Sequence, residues 1–384
     1  MNVTGRELRS TVTGNGTLRL ELVDVGLSPP VDDEVIVRVE AAPINPSDIG
    51  LLLGPADVAT LRSEGAPERP RLVFDVPADR LAGIDARIGQ SLAVGNEGAG
   101  IVIAAGPAAR SLEGKRVGML GGGMYADYRK LRAQDVLVLP DGVSAADGAS
   151  MFINPLTALG FVETARRDNH RAIIHTAAAS NLGQMLQKIC LADGIPLVNI
   201  VRSAEQEALL RAIGATHVLN SNDGDFRERL IDVIDQTGAT VAFDTIGGGS
   251  LGSDILQSME RAAARHMTTF SRYGSDTFKQ LYIYGMLDLG PTMLNRHALG
   301  FQWSVSGWLL MPFLQRAGVE TVSRLRRRVV DELTTTFASH YTRTIGLAEA
   351  LDPANLRAYE RKATGEKYLI DPRRDSVAAR GHRA

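Results

Sequence analysis

The chain has 384 residues, 44% hydrophobic and 22% charged, the balance of a folded globular protein, and at roughly 150 residues per domain its length suggests two domains. Lys and Arg total 42 against 44 Asp and Glu, a formal charge of −2, so the basic surplus of a protein that grips nucleic-acid phosphates is missing. A single cysteine, Cys190, excludes an internal disulfide and any site built on several thiolates; no apolar run approaches the roughly 18 residues of a membrane span, and the polar, glycine-containing start has no targeting pattern, so a cytoplasmic protein without nucleic-acid or membrane partners is expected.

Residues 34–40 largely alternate polar and apolar, the pattern of a half-buried strand. Residues 100–106 and 116–120 are further strands bounded by glycine, and residues 135–139 form a strand that runs into the turn Pro140-Asp141-Gly142. Short strands with turns between them predict a β-rich, barrel-like domain over residues 1–153. Past residue 155 the texture changes. Residues 171–175 form a short apolar strand, a small-residue turn from Thr176 to Gly183 follows, and Leu182, Met185, Leu186, Ile189 and Cys190 then share one helical face. A strand over 196–201 leads to Ser203 and Gln206, which have capping-box spacing, and to Gly214 as a helix stop. A strand over 216–219, a helix over 224–237 and a strand over 240–244 continue the alternation. Strand, helix, strand with short connections predicts an α/β, doubly wound parallel-sheet domain over residues 154–330. Asp352 and Pro353 open a helix to about residue 363, and residues 367–370 form a last strand. That strand is predicted to rejoin the first domain, which makes it discontinuous with residues 331–384 as its second piece. The arginine-rich residues from 373 onward are expected to fray.

The turn 176–183 is where dinucleotide folds hold a pyrophosphate against helix N-terminal amides. It departs from the GxGxxG pattern, since only Gly183 remains. At the end of the second parallel strand an NAD site carries an acid, whereas a 2′-phosphate needs a cation. This chain has Arg202 and Ser203 there and no acid before Glu205, which predicts NADPH as cofactor.

Three blocks carry a resemblance. They are Ala41-Ala42-Pro43-Ile44-Asn45-Pro46-Ser47-Asp48-Ile49, Val94-Gly95-Asn96-Glu97-Gly98-Ala99-Gly100 and Asn154-Pro155-Leu156-Thr157-Ala158. In order and content they resemble the medium-chain dehydrogenase/reductase superfamily, and within it the zinc-free quinone oxidoreductases and 2-enoyl thioester reductases. The fold this implies is a GroES-like β-rich domain with a Rossmann domain. Zinc-dependent relatives have a cysteine at the position of Asn45 and a histidine at that of Asn96, so no metal is expected. By the resemblance Asn154 and Thr157 reach the nicotinamide and phosphates, and Ala179, Ser180, Asn181 and Leu182 form the phosphate turn. Arg202 and Ser203 meet the 2′-phosphate. Tyr284, Gly285 and Met286 flank the carboxamide, Trp308, Leu309 and Leu310 line the same cleft, and Lys367 lies near the cofactor. Core packing is an equal reading for Trp308 and the leucines, and a solvated charge for Lys367. A homodimer is expected on the same grounds.

The departures concern substrate. The enoyl thioester reductases carry a proton-donating tyrosine after the Asn-Pro-Ser-Asp block, and this chain has none between Asp48 and Glu97. It has instead an insertion at residues 55–93, expected to act as a lid with Leu72, Val73 and Phe74 packed over the cleft, and a second extra stretch at residues 262–279. Asn45 and Asn154 are the candidate polar groups at the reacting centre, and the proton donor is unassigned. Tyr125 and Tyr128 read as structural, His175 as a buried strand histidine, Asp244 as a turn-shaping group, and Arg324, Arg326, Arg327 and Arg328 as a solvated helix face. The expected activity is hydride transfer from NADPH to a quinone or other small activated C=C or carbonyl electrophile. The alternatives are 2-enoyl thioester reduction and, from another class, NADPH binding without turnover.

Overall fold

Strand β1 (Val3–Val12) turns back into β2 (Thr17–Leu27) through Gly16, which adopts φ +78 in a turn closed by Thr13 and Thr17. This computed structural model describes residues 2–66 and 69–375. Contacts divide the chain into two units, Met1–Ile153 with Glu332–Ala384, and Asn154–Asp331.

The first unit holds two sheets. One has the order β4-β5-β2-β1-β6, where β4 is Asp57–Ala66, β5 Arg69–Asp75 and β6 Ser91–Ala93. The other runs β10-β8-β7-β3-β18-β17 with β9 beside β3. Its members are β3 (Glu34–Pro43), β7 (Glu97–Ala105), β8 (Arg116–Leu120), β9 (Tyr128–Arg132), β10 (Val136–Val138), β17 (Arg343–Ile345) and β18 (Tyr368–Ile370). The late strand β18 pairs antiparallel with β3, Ile370 opposite Ala42. The helix before it starts at Pro353, with Asp352 accepting from the amides of Ala354 and Asn355 at 2.9 Å.

Residues 55–93 are not a lid. They build the hairpin β4–β5, and β5 pairs with β2 so that Phe74 lies opposite Leu18 and Leu72 opposite Leu20. Leu72 and Phe74 are fully buried in the core of this unit, with Leu8, Leu18 and Leu20, while Arg71 and Asp75 point outward to Glu21 and Arg62. Period-two alternation explains the placement: Leu72 and Phe74 turn to the core face, while Val73 lies on the other face with Arg71 and Asp75. The arginine-rich end is also held further than expected. Arg373 pairs with Asp371 at 2.9 Å and Glu40 at 3.2 Å, and Arg6 pairs with Asp375 at 2.8 Å; the rest of that expectation, residues 376–384, lies outside the described residues.

The second unit is a six-stranded parallel sheet ordered β13-β12-β11-β14-β15-β16. The strands are β11 (Ile173–His175), β12 (Leu197–Val201), β13 (His217–Asn220), β14 (Val241–Asp244), β15 (Lys279–Ile283) and β16 (Trp303–Gly307). The strand order steps outward from β11 in both directions, the doubly wound topology with its ligand crevice at the carboxyl ends of the strands. Helices Asn181–Asp193, Ala204–Ala212, Phe226–Thr237 and Leu251–Ala264 connect them. Among the described residues no helix is long and apolar enough to cross a membrane.

Candidate functional site

In the parallel-sheet unit, β11 ends at His175 and from Thr176 the chain must turn sharply into the helix Asn181–Asp193. Ala177 takes φ +48, an uncommon left-handed conformation for a residue with a side chain. Gly183 follows because a Cβ there would lie 2.1 Å from the carbonyl oxygen of Ala178. Ser180 caps the helix, its Oγ accepting from the Gly183 amide at 3.2 Å. The turn is locked sideways onto β14. Thr176 Oγ1 donates to Asp244 Oδ1 at 2.6 Å, and the same carboxylate accepts from the amides of Ile246 and Gly247 at 3.0 and 3.1 Å. Asp244 therefore shapes the turn with both oxygens.

Arg202 sits at the carboxyl end of β12, exposed, its amide donating to Gln206 and its carbonyl accepting from Asn222 at 2.8 Å. Its guanidinium has no partner among the described residues. Ser203 is the cap of the next helix, accepting from the Gln206 amide at 3.4 Å. Its side chain also hydrogen-bonds the Glu205 carboxyl, which holds that carboxyl below its usual range. The Gln206 side chain accepts from the Arg202 amide at 3.0 Å.

Tyr284, Gly285 and Met286 follow β15. The Tyr284 hydroxyl is 2.8 Å from His175 Nε2, and the two rings stack. Burial pulls His175 down to about 3, so it is neutral at any working pH. Gly285 abuts Thr245, where a Cβ would lie 2.2 Å from the threonine hydroxyl, and Met286 is exposed. Asn154 is half-buried at the start of the helix Ile153–Arg167, and Thr157 is buried one turn on. Ala179, Ser180, Asn181, Leu182, Arg202, Ser203, Tyr284, Gly285, Leu309 and Leu310 thus gather at the carboxyl edge of one parallel sheet. Trp308 is the exception among them. It is 3% exposed, its indole N–H donates to Thr164 Oγ1 at 3.1 Å, and it packs edge-on to Phe161 and against Phe313. Its ring is thus packed inside this unit, and Leu309 beside it is 63% exposed.

The first unit assembles a cluster of its own. Pro46 presets the first turn of the helix Pro46–Leu52. Asp48, buried in that turn, accepts from the amides of Asn45 and Asn96, both at 2.8 Å. Burial lifts its carboxyl to about 7, with the two amides opposing and the nearby Glu97 charge adding. Gly95, at φ +98, lets the chain pass the ring of buried Tyr125, to which a Cβ would approach within 2.5 Å; the Tyr125 hydroxyl donates to the Pro43 carbonyl at 3.1 Å. Glu97 is fully buried and accepts three hydrogen bonds, from Asn45 Nδ2 and the Phe152 amide at 2.8 Å and from the Ile153 amide at 2.9 Å. Its carboxyl is raised by burial, against the pull of the Lys367 ammonium. Lys367 donates to Ser150 Oγ at 2.8 Å and lies 5.5 Å from the ring centre of Tyr341, whose hydroxyl is 2.7 Å from the same Ser150 oxygen. Lys367 is therefore not a solvated strand charge. Burial draws it down to about 8 even with Glu97 and Asp48 pulling the other way. Asp48, Glu97, Ser150 and Tyr341 escaped the sequence reading as site residues.

The donor set does not suit zinc. The Asn45 amide is committed to Glu97 and the Asn96 amide donates to Ser47 at 3.1 Å. Cys190 is buried in the other unit, its thiol pushed up to about 12 by burial, where no thiolate ligand forms. Among the described residues no group of three or more His, Cys, Asp or Glu could hold a metal ion.

Two family profiles match the chain: the alcohol dehydrogenase GroES-like domain at residues 31–141 and the zinc-binding dehydrogenase at residues 182–287. A mitochondrial enoyl-[acyl-carrier-protein] reductase of Xenopus tropicalis is 31% identical over 213 residues, covering 52% of this chain and 51% of that protein. A quinone oxidoreductase of Pseudomonas aeruginosa is 28% identical over 158 residues, covering 40% and 49%. The chain thus spans about half the length of these two relatives. A crystal structure from Mesorhizobium loti, provisionally named an NADPH:quinone reductase, superposes with a TM-score of 0.71 at 25% identity over 96% of this chain and 98% of that one. Escherichia coli quinone oxidoreductase complexed with NADPH has the same fold, with a TM-score of 0.68 at 18% identity over 96% and 100%.

Proposed function

We propose, for a chain that belongs to the medium-chain dehydrogenase/reductase superfamily, that it is an NADPH-dependent oxidoreductase reducing a quinone or another small activated electrophile. The observation that carries this reading is the Arg202 fork at the end of β12, unpartnered among the described residues and on the same sheet edge as the strained turn 176–183. A planar guanidinium fits a 2′-phosphate bidentately. The turn offers helix N-terminal amides and no side-chain bulk, which suits a pyrophosphate. When bound, NADPH supplies hydride at its nicotinamide C4. The protein's part is to hold the reactants in line and to stabilise the negative charge that develops on the acceptor. Asn154, Tyr284, Gly285 and Leu310 are the residues we assign to the nicotinamide side; Asn45 is 1% exposed with its amide donated to Glu97 and belongs to the buried cluster. Reduction of a 2-enoyl thioester is the second reading, favoured by the enoyl-[acyl-carrier-protein] reductase relatives. A homodimer paired along the open edge strand β16 belongs to the same proposal.

The cofactor assignment is tested by Arg202→Ala. A charge-assisted phosphate contact contributes more than about 1.4 kcal/mol, a factor of ten in affinity. NADPH binding, read by fluorescence titration, should weaken at least about tenfold while NADH binding stays unchanged. Equal loss for both cofactors would remove Arg202 from the site. We further propose that the protein works without zinc, on the donor chemistry above. Elemental analysis of purified protein should then find no stoichiometric zinc, and a chelator should leave activity intact; one tightly held zinc per chain contradicts this.

A further inference from the structure

Reduction of an activated double bond needs a proton as well as a hydride, and the sequence supplies no tyrosine between Asp48 and Glu97. The first unit nevertheless contains a continuous line of exchangeable protons. Lys367 Nζ donates to Ser150 Oγ at 2.8 Å, and Ser150 Oγ lies 2.7 Å from the Tyr341 hydroxyl. The backbone holds the line together. The Thr342 amide donates to the Lys367 carbonyl at 2.9 Å and the Lys367 amide to Thr342 Oγ1 at 3.2 Å, and β17 and β18 continue this alignment in parallel. Ser150 is buried, and the segment after it supplies the Phe152 and Ile153 amides that fix Glu97. Tyr341 is half-buried at the far end of the line.

We propose that Tyr341 is the catalytic acid of the reduction, resupplied with protons by Lys367 through the Ser150 hydroxyl. The proposal rests on the reductase reading above. Once the substrate double bond has accepted hydride, two electrons have been added and the substrate carries an enolate-type negative charge. The Tyr341 O–H bond breaks and its proton goes to that anion. The Ser150 hydroxyl proton passes to the Tyr341 oxygen, one ammonium proton of Lys367 passes to Ser150, and the neutral amine is reprotonated by water. Charge and atoms balance, with water as the net proton source.

The surroundings suit each role. Tyr341 is kept protonated by burial, with the Asp147 and Glu97 charges adding and the Ser150 hydrogen bond opposing. A phenol that stays neutral is the form that can donate. Lys367 faces Glu97, Asp48, Ser150, Ser339 and the Tyr341 ring, and burial sets it near 8. It can therefore both give and regain a proton in the working range. The protonated amine is the competent form, so the supply is full below about pH 8 and fails as pH rises through that value.

The test uses the full chain with NADPH and two probes, 1,4-benzoquinone and crotonyl thioester. Wild-type protein that turns over neither probe overturns the reductase reading, and this inference with it. With turnover established, Tyr341→Phe should lower kcat about a hundredfold or more, while NADPH affinity and the thermal unfolding midpoint stay at wild-type values. Ser150→Ala, which keeps the phenol and cuts the line, should lower kcat about tenfold or more. The wild-type rate should fall above about pH 8, and Lys367→Met should lose that limb. If Tyr341→Phe fails to fold, Ser150→Ala and the Lys367→Met profile decide. A kcat within about threefold of wild type in Tyr341→Phe or Ser150→Ala, or a high-pH limb that survives in Lys367→Met, overturns the proposal.

Discussion

Replacing residues 55–93 by a short glycine–serine link is expected to unfold the first unit. The replacement strips β5 from β2 and takes Leu72 and Phe74 out of a core in which both are fully buried. It also removes β6, which pairs with β1 through Leu92 and Ser10. Truncating a buried Leu alone costs about 2–5 kcal/mol and a buried Phe about 3–5 kcal/mol, and whole domains are stable by only about 5–15 kcal/mol. Circular dichroism should show lost β signal and no cooperative melt for this unit. A folded variant with wild-type stability would mean that the hairpin is ornamental. The smaller change Phe74→Ala gives a graded version of the same measurement.

A second large effect is expected far from any proposed chemistry. Lys279 opens β15 with its ammonium fully buried, held by Glu260, by the Thr277 carbonyl at 2.9 Å and by Ser275. The Glu260 carboxylate also accepts from the Ser275 amide and hydroxyl, both at 2.7 Å. Gly274 and Gly300 lie against it, each with positive φ and with room for no Cβ. Lys279→Met leaves that carboxylate buried without its counter-charge, a loss of about 3–5 kcal/mol. The double change with Glu260→Met removes both charges and should recover most of it. Urea denaturation of the three proteins checks this. A loss under about 1 kcal/mol in Lys279→Met would show that water or rearrangement compensates the carboxylate.

The same residues show what the sequence can and cannot disclose. The parallel sheet was legible because its strands are short apolar runs ending in small-residue turns, and each predicted strand there falls within two residues of the observed one. The first strand was not legible, since Glu7, Ser10 and Thr11 are buried polar residues within β1 and interrupt any apolar alternation. Ser10 is satisfied by the Leu52 carbonyl at 2.8 Å, a partner that no local pattern shows. The β4–β5 hairpin looked like a charged loop because Leu72 and Phe74, the two residues of β5 in the core, stand among arginines and aspartates. Lys279 reads as a surface charge until the fold puts Glu260 beside it. The Ser150, Tyr341 and Lys367 group is assembled from positions 191 and 217 residues apart, so spacing carries no trace of it. Trp308 matched a ligand-lining segment by sequence, and only packing against Phe161, Phe313 and Thr164 shows where its ring is spent.

The most direct test of the central claim is NADPH oxidation, followed at the nicotinamide absorbance band, with small quinones, enals and enoyl thioesters as acceptors and no added metal. The account predicts turnover of at least one acceptor and dependence on NADPH in preference to NADH. Tight NADPH binding with no turnover of any acceptor would contradict it and leave a binding protein in place of an enzyme.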